Sequence, residues 1–184
     1  MDRTTAVLNL LEHGNQLKRT ARTGWVQRGI PDAENVAAHS FGVVFTSLVL
    51  ARLVAEPLDL GKVLAIAALH DLPEALTTDI PTPAWRYLPP GSKSTTERAA
   101  MEEILGEAIF EAELMSLWEE LRAAATVEAR LVHDADKLDM FLQAVIYEEQ
   151  TGNTRLAEFW ATPHTFYFTE SQAIYEKLRA RRRG

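Results

Sequence analysis

His70-Asp71-Leu72-Pro73-Glu74-Ala75-Leu76-Thr77-Thr78-Asp79-Ile80-Pro81-Thr82-Pro83 follows a stretch, Lys62 to Leu69, in which every residue after the lysine is apolar. Such a run predicts a buried helix, from Lys62 to about Leu72. Pro73 has no amide hydrogen and its ring clashes with the preceding turn, so the helix bends or stops there. His70 and Asp71 therefore close a buried helix. Neighbouring helical residues point about 100° apart. A cation shared by the pair must sit beside the helix end, where the loosened turn lets both side chains curl toward it. Pro81, Pro83, Pro89, Pro90 and Gly91 then make residues 79–92 a loop.

Working outward, helical spacing recurs almost everywhere and no window alternates for long like a half-buried strand. Upstream, a helix from about Glu34 to Ala55 is apolar on several sides (Val36, Phe41, Val43, Val44, Leu48, Val49) and is expected to be central. Before it, Val7, Leu10, Leu11 and Leu17 mark a first amphipathic helix, interrupted near Gly14. Downstream, Ser94 and Glu97 have capping-box spacing for a helix over about 94–110. Leu114, Leu117, Trp118 and Leu121 mark a short one. Thr126 caps a long helix to about Glu149, with Leu131, Ala135, Leu138, Leu142 and Val145 as its buried stripe. Arg155–Trp160 and Thr169–Arg181 are the last two. The prediction is an all-α fold, one domain over 1–184 of about seven or eight helices, with a core over about 10–150 and C-terminal helices over 154–181 packed on it.

Composition narrows the chemistry. The 184-residue chain is 47% hydrophobic and 24% charged, ordinary globular usage. It has no cysteine, so any metal is held by nitrogen and oxygen. The formal net charge of −7 argues against a nucleic-acid polymer or an anionic membrane as partner. Residues 1–30 nonetheless carry Arg3, Lys18, Arg19, Arg22 and Arg28 against Asp2 and Glu12, whereas nine glutamates and two arginines fill 97–128. A local basic patch on an acidic chain suits a small anionic ligand. No secretory leader is read in the first twelve residues, which carry Asp2, Arg3 and Glu12. The apolar run Val43–Leu50 is far shorter than the roughly 20 residues of a membrane span. A cytoplasmic location is expected. Arg179, Arg181, Arg182 and Arg183 are read as a solvated helix end, cations at its negative pole, rather than a nucleic-acid tail.

Four side chains stand out as metal ligands. His39 and His70 fall in the two most apolar helices, where an imidazole needs a partner or a metal. Asp71 adjoins His70, and Asp136 lies one step off the buried stripe of the long helix. Two imidazoles with two carboxylates suit Mn, Co, Fe or Mg. Each has a plainer reading: a histidine satisfied in the core, Asp71 capping the turn at Pro73, Asp136 solvated. His133-Asp134 is a second such pair, but Asp134 lies about 200° round the helix from Asp136 and is expected to be solvated.

The fourteen-residue string, with Glu34-Asn35-Val36-Ala37-Ala38-His39-Ser40 before it and Asp134-Ala135-Asp136-Lys137-Leu138-Asp139 after it, resembles the HD-domain phosphohydrolases. The branch it looks like holds the 5′-deoxynucleotidases, and Leu17-Lys18-Arg19-Thr20-Ala21-Arg22-Thr23-Gly24-Trp25 matches as well. The resemblance covers roughly 10–150. It implies one divalent cation on His39, His70, Asp71 and Asp136. It implies Glu74 orienting or deprotonating the attacking water, and Asp79 contacting substrate and assisting the leaving alcohol. Arg22 would clamp the phosphate, Trp25 would pack on the sugar, and Ile80 and Thr82 would line the same pocket. The implied activity is hydrolysis of (deoxy)nucleoside 5′-monophosphates by a cytoplasmic homodimer. The rivals are an HD hydrolase of another phosphoester, such as a nucleoside triphosphate or cyclic nucleotide, and a metal- or nucleotide-binding regulatory protein of low turnover.

Two positions depart from the branch. Ala38 stands where an acidic residue is usual, which removes a possible neighbour of the metal site. Thr78 stands where glycine is common, which would tighten the loop carrying Asp79. Two-metal relatives need further histidines after the His-Asp pair, and only His133 and His164 remain. A mononuclear site is expected.

Overall fold

A computed structural model of the chain describes residues 2–106 and 110–183, without the side chains of Thr82 and Arg183. Among the described residues the fold is all-α: α1 (Arg3–Gln16), α2 (Thr23–Gln27), α3 (Val36–Leu50), α4 (Leu60–Leu69), α5 (Glu74–Thr77), α6 (Thr82–Trp85), α7 (Ser92–Leu105), α8 (Glu111–Arg122), α9 (Val127–Thr151) and α10 (Thr169–Arg183). Leu17–Arg19 and Thr154–Trp160 are 3-10 turns. The number exceeds seven or eight because α2, α5 and α6 are only four or five residues long, too short to carry a hydrophobic period. The expected loop 79–92 contains one of them: Pro83, in the first turn of α6, needs no amide partner there.

Several boundaries differ from expectation. Gly14 does not interrupt α1, whose start is capped by the Asp2 carboxylate accepting from the amides of Thr4 and Thr5. Ser94 is not a cap: α7 begins at Ser92 after Gly91, whose φ of 83° turns the chain into the helix without a side-chain cap. The end of the helix expected over 94–110 includes residues 107–109, which lie outside the described residues. α3 stops at Leu50 rather than Ala55. Phe41 and Val49 on α3, Leu11 on α1 and Leu142 on α9 are exposed rather than buried. Thr126 does cap α9, its hydroxyl accepting from the Ala129 amide.

The chain forms two compact units, Met1–Ser40 with Leu69–Glu119, and Phe41–Ala68 with Glu120–Gly184. In the first, Leu17, Val36, Leu72, Met101, Ile104, Leu105, Met115 and Trp118 form one buried cluster, with Leu10, Leu69, Ala75 and Leu114 at its border. Each such side chain contributes about 1.5–3 kcal/mol by leaving water. Leu72 and Ala75 are the members that matter for function. They nail the His70–Glu74 turn to the core.

In the second unit, Leu131, Ala135, Leu138 and Val145 of α9 are buried as expected. Phe141 of the same helix packs at a tilt against Trp160 and Tyr175, each 4.7 Å away between ring centroids. Asp134 is not solvated. It is 1% exposed, and its two carboxylate oxygens accept the amides of Tyr167 and Phe168 at 2.9 and 3.0 Å, tying the segment before α10 to α9. Nor is the arginine tail simply solvated: Arg181 pairs with Glu149, and Arg182 with Glu148 while lying over Trp160. No helix among the described residues is long and apolar enough to cross a membrane.

Candidate metal centre and active site

α4 ends at Leu69, one residue before the His-Asp pair, so the pair occupies a turn rather than the helix. The turn is tight because Pro73 cannot donate. The amides of Leu72, Glu74 and Ala75 each reach back three residues, to Leu69, Asp71 and Leu72. Leu72 and Ala75 face the core cluster, which leaves His70, Asp71 and Glu74 for the other side.

There the first unit brings together most of the expected site. His70 Nε2 lies 3.2 Å and His39 Nε2 3.7 Å from the same oxygen, Asp71 Oδ2. The two imidazoles meet edge-on with centroids 5.3 Å apart. His39 is fully buried in the first turn of α3. That turn is held open-ended by Asn35, whose side chain accepts from the Ala38 amide and donates to the Lys18 carbonyl. Two nitrogens and a carboxylate converging on one point form a donor set that fits a divalent cation. Asp136 belongs to the second unit; it is half-buried on α9, and Lys137 Nζ donates to its Oδ2 at 2.9 Å.

Arg22 arrives by backbone pairing. Ala21 and Asn35 form an isolated antiparallel bridge, with the Arg22 amide donating to the Glu34 carbonyl and the Val36 amide to the Thr20 carbonyl. This ties the Arg22 segment to the start of the helix that bears His39. Arg22 Nη1 then lies 3.5 Å from both Asp71 Oδ2 and Asp79 Oδ2. Asp79 Oδ2 also accepts the Thr23 amide at 3.0 Å. The guanidinium thus stands between two carboxylates, with the two imidazoles beside one of them.

The charges divide the three acids. Burial alone would raise the Asp71 pKa, but the charge and hydrogen bond of His70, with Arg22 and His39, hold it well below the usual carboxylate range. Glu74 goes the other way. Burial, then the neighbouring charges of Asp71 and Asp79, push it up to about 9, against the pull of Arg22 and His39. Its Oε2 is buried and accepts no hydrogen bond from the described residues. Asp79 is also raised, by burial first and then by Asp71, against Arg22 and the Thr23 amide. One carboxylate is thus kept ionised beside two that burial and like charge push toward their protons.

Trp25 is only 2% exposed, and its Nε1–H donates to Glu34 Oε1 at 2.9 Å. Ile80 is half-buried, its carbonyl accepting from Trp85 Nε1–H. The side chain of Thr82 lies outside the described residues. The sequence reading gave no role to Glu34, which holds Trp25, or to the Thr23 amide, which holds Asp79. Glu34 opens one of the quoted motifs, yet no helical period pairs it with Trp25.

Residues 14–175 match the HD domain family. The chain is 32% identical to 5′-deoxynucleotidase HDDC2 of Danio rerio, over 96% of this chain and 88% of that one. It is also 32% identical to 5′-deoxynucleotidase HDDC2 of Homo sapiens, over 96% and 86%. Among solved structures, a protein of Pyrococcus horikoshii superposes with a TM-score of 0.80 at 34% identity, covering 96% of this chain and 98% of that one. With His39, the His70-Asp71 pair and Asp136 in their expected order, the chain belongs to the HD-domain family, in the branch that holds the 5′-deoxynucleotidases HDDC2.

Proposed function

We propose that this chain is a metal-dependent phosphomonoesterase that hydrolyses (deoxy)nucleoside 5′-monophosphates to nucleoside and phosphate. The observation that carries the reading is Arg22, poised between Asp71 and Asp79 beside the two histidines. The 5′-deoxynucleotidase relatives, matched over nearly the whole chain, support the substrate class. One family match spanning 14–175 supports reading 1–184 as a single domain.

His39, His70, Asp71 and, from α9, Asp136 would hold one divalent cation, Mn, Co, Mg or Fe. Such an ion supplies positive charge to a phosphoryl oxygen and makes nearby water more acidic. The Arg22 guanidinium takes two further phosphoryl oxygens in its planar fork. Glu74 orients the attacking water through its buried Oε2 and, ionised once the cation's charge offsets the burial that raises its pKa, accepts the proton that the water gives up. As the water oxygen bonds to phosphorus and the bond to O5′ breaks, Asp79 gives its proton to O5′; its upward shift suits an acid. Trp25 backs the sugar, where a close fit disfavours a 2′-hydroxyl, and Ile80 and Thr82 line the pocket.

The test is phosphate release from a panel of deoxy- and ribonucleoside monophosphates with Mn, Co and Mg. Release from monophosphates, deoxy forms first, is expected. Release only from nucleoside triphosphates or cyclic nucleotides sinks the monoesterase assignment, and none under any metal leaves a binding protein.

The assembly is proposed to be a homodimer. Phe41, Phe45 and Val49 form an exposed apolar ridge at helical spacing on α3, continued by Leu53 in the turn after it, and α3 carries no acidic or basic side chain in its first or last turn. Light scattering at twice the chain mass is expected, and a monomer at micromolar concentration refutes it. The proposed location is cytoplasmic; cell fractionation checks it.

A further inference from the structure

α5 ends at Thr77, and the next residue reverses the chain toward Asp79. Thr78 does this with φ 61° and ψ 167°, a backbone region that is essentially glycine's because a Cβ collides with the flanking peptide. Only two other non-glycine residues among those described have positive φ, Asp32 and Ala124. Thr78 alone of the three sits between two of the acids in the site. Its conformation is locked from both sides. Its amide donates to the Glu74 carbonyl at 3.1 Å, and its own carbonyl accepts the Thr77 hydroxyl at 3.0 Å. Beyond it, Asp79 Oδ2 takes the Thr23 amide and faces Arg22. The Thr78 side chain itself is exposed. The backbone is what the site uses.

We propose that Thr78 is a positioning residue for Asp79: its strained left-handed turn aims the Asp79 carboxylate at Arg22 and the Thr23 amide, and those contacts in turn hold the strain. Glycine would adopt the same turn freely, but would also populate both hands of φ and let Asp79 wander. Threonine admits few conformations there. Released from its anchors, it would relax to negative φ and carry Asp79 away. The cost in stability is thus exchanged for a narrow placement of one side chain, a trade met where activity needs a strained site. The catalytic part of this inference rests on the monoesterase reading; the coupling between Thr78 and Asp79 does not.

The experiment is a thermal-unfolding cycle on the full chain without added metal, using Thr78→Gly, Asp79→Ala and the double variant, with Thr78→Ala as the conservative control. Relief of strain in a chain of this size should raise Tm by about 2–4 °C in Thr78→Gly. With Asp79→Ala already present, the same change should give less than about 1 °C, because Thr78, left with only its two local hydrogen bonds, can then relax. In the metal-loaded enzyme, Thr78→Gly should lower kcat about threefold to tenfold with KM within about twofold, and Thr78→Ala, which keeps the Cβ, should recover kcat. An unchanged or lowered Tm in Thr78→Gly overturns the inference. So does an equal Tm gain in both backgrounds, or an alanine variant that behaves like glycine. If the wild-type chain releases no phosphate, the monoesterase reading fails by itself and the Tm cycle still decides the coupling.

Discussion

Glu74→Gln is expected to lower kcat by about 10²–10⁴-fold while the protein still takes up one equivalent of Mn. The substitution keeps the shape and the hydrogen-bonding length of the side chain and removes only its ability to accept a proton. Glu74 is not part of the donor set on Asp71, so the bound ion should stay; uptake is read by metal analysis after gel filtration. The size of the effect follows from the surroundings. Oε2 is buried and takes no hydrogen bond from the described residues, and the pKa is pushed up to about 9 by burial and by Asp71 and Asp79. Positive charge placed beside it would pull that pKa back down and favour the ionised form, the only form that can accept a proton. Full activity in Glu74→Gln, with metal bound, would remove Glu74 from the proton path and leave only a packing role.

How far the sequence reaches is visible in the same turn. Helical period and the proline at 73 located His70 and Asp71 and predicted the break beside them, because both signals are local; Glu74 came from the family resemblance. The helix ends at Leu69 rather than at about Leu72, so the pair stands just past α4 rather than on it, a shift that a proline can impose on a helix end. Chemistry carried by distant pairs was less legible. Trp25 with Glu34, Thr23 with Asp79, and Asp134 with the amides of Tyr167 and Phe168 are joined by backbone turns that leave no hydrophobic period. The error on Asp134 is instructive. A polar residue on the side of α9 away from Asp136 looked solvated, whereas the chain returns after the 3-10 turn at Thr154–Trp160 and donates two amides to it. Ala38 and Thr78 were both marked as departures. Only Thr78 shows a backbone reason, its positive φ; Ala38 donates its amide to Asn35 as any residue there would.

Asp71→Asn should abolish metal uptake and, with it, activity. One oxygen of this carboxylate lies within 3.2 Å of His70 Nε2, 3.7 Å of His39 Nε2 and 3.5 Å of Arg22 Nη1. It is the one point that all three share. The amide is nearly isosteric, so no cavity opens, but the negative charge that gathers the imidazoles and would meet the cation is gone. Its loss can be read without turnover. A ligand held only by the folded state stabilises it by about 2.7 kcal/mol at one hundred times its Kd, roughly 5–11 °C in Tm for a domain of this size. Wild-type protein should show that rise with Mn, and Asp71→Asn should show less than about 1 °C. The charge change also strands Arg22 beside Asp79 alone, so inorganic phosphate should bind the variant at least as well as the wild type in the absence of metal. A variant that gains the full Tm shift from Mn would mean that Asp71 serves Arg22 rather than the cation, and the metal centre would have to be rebuilt around other side chains.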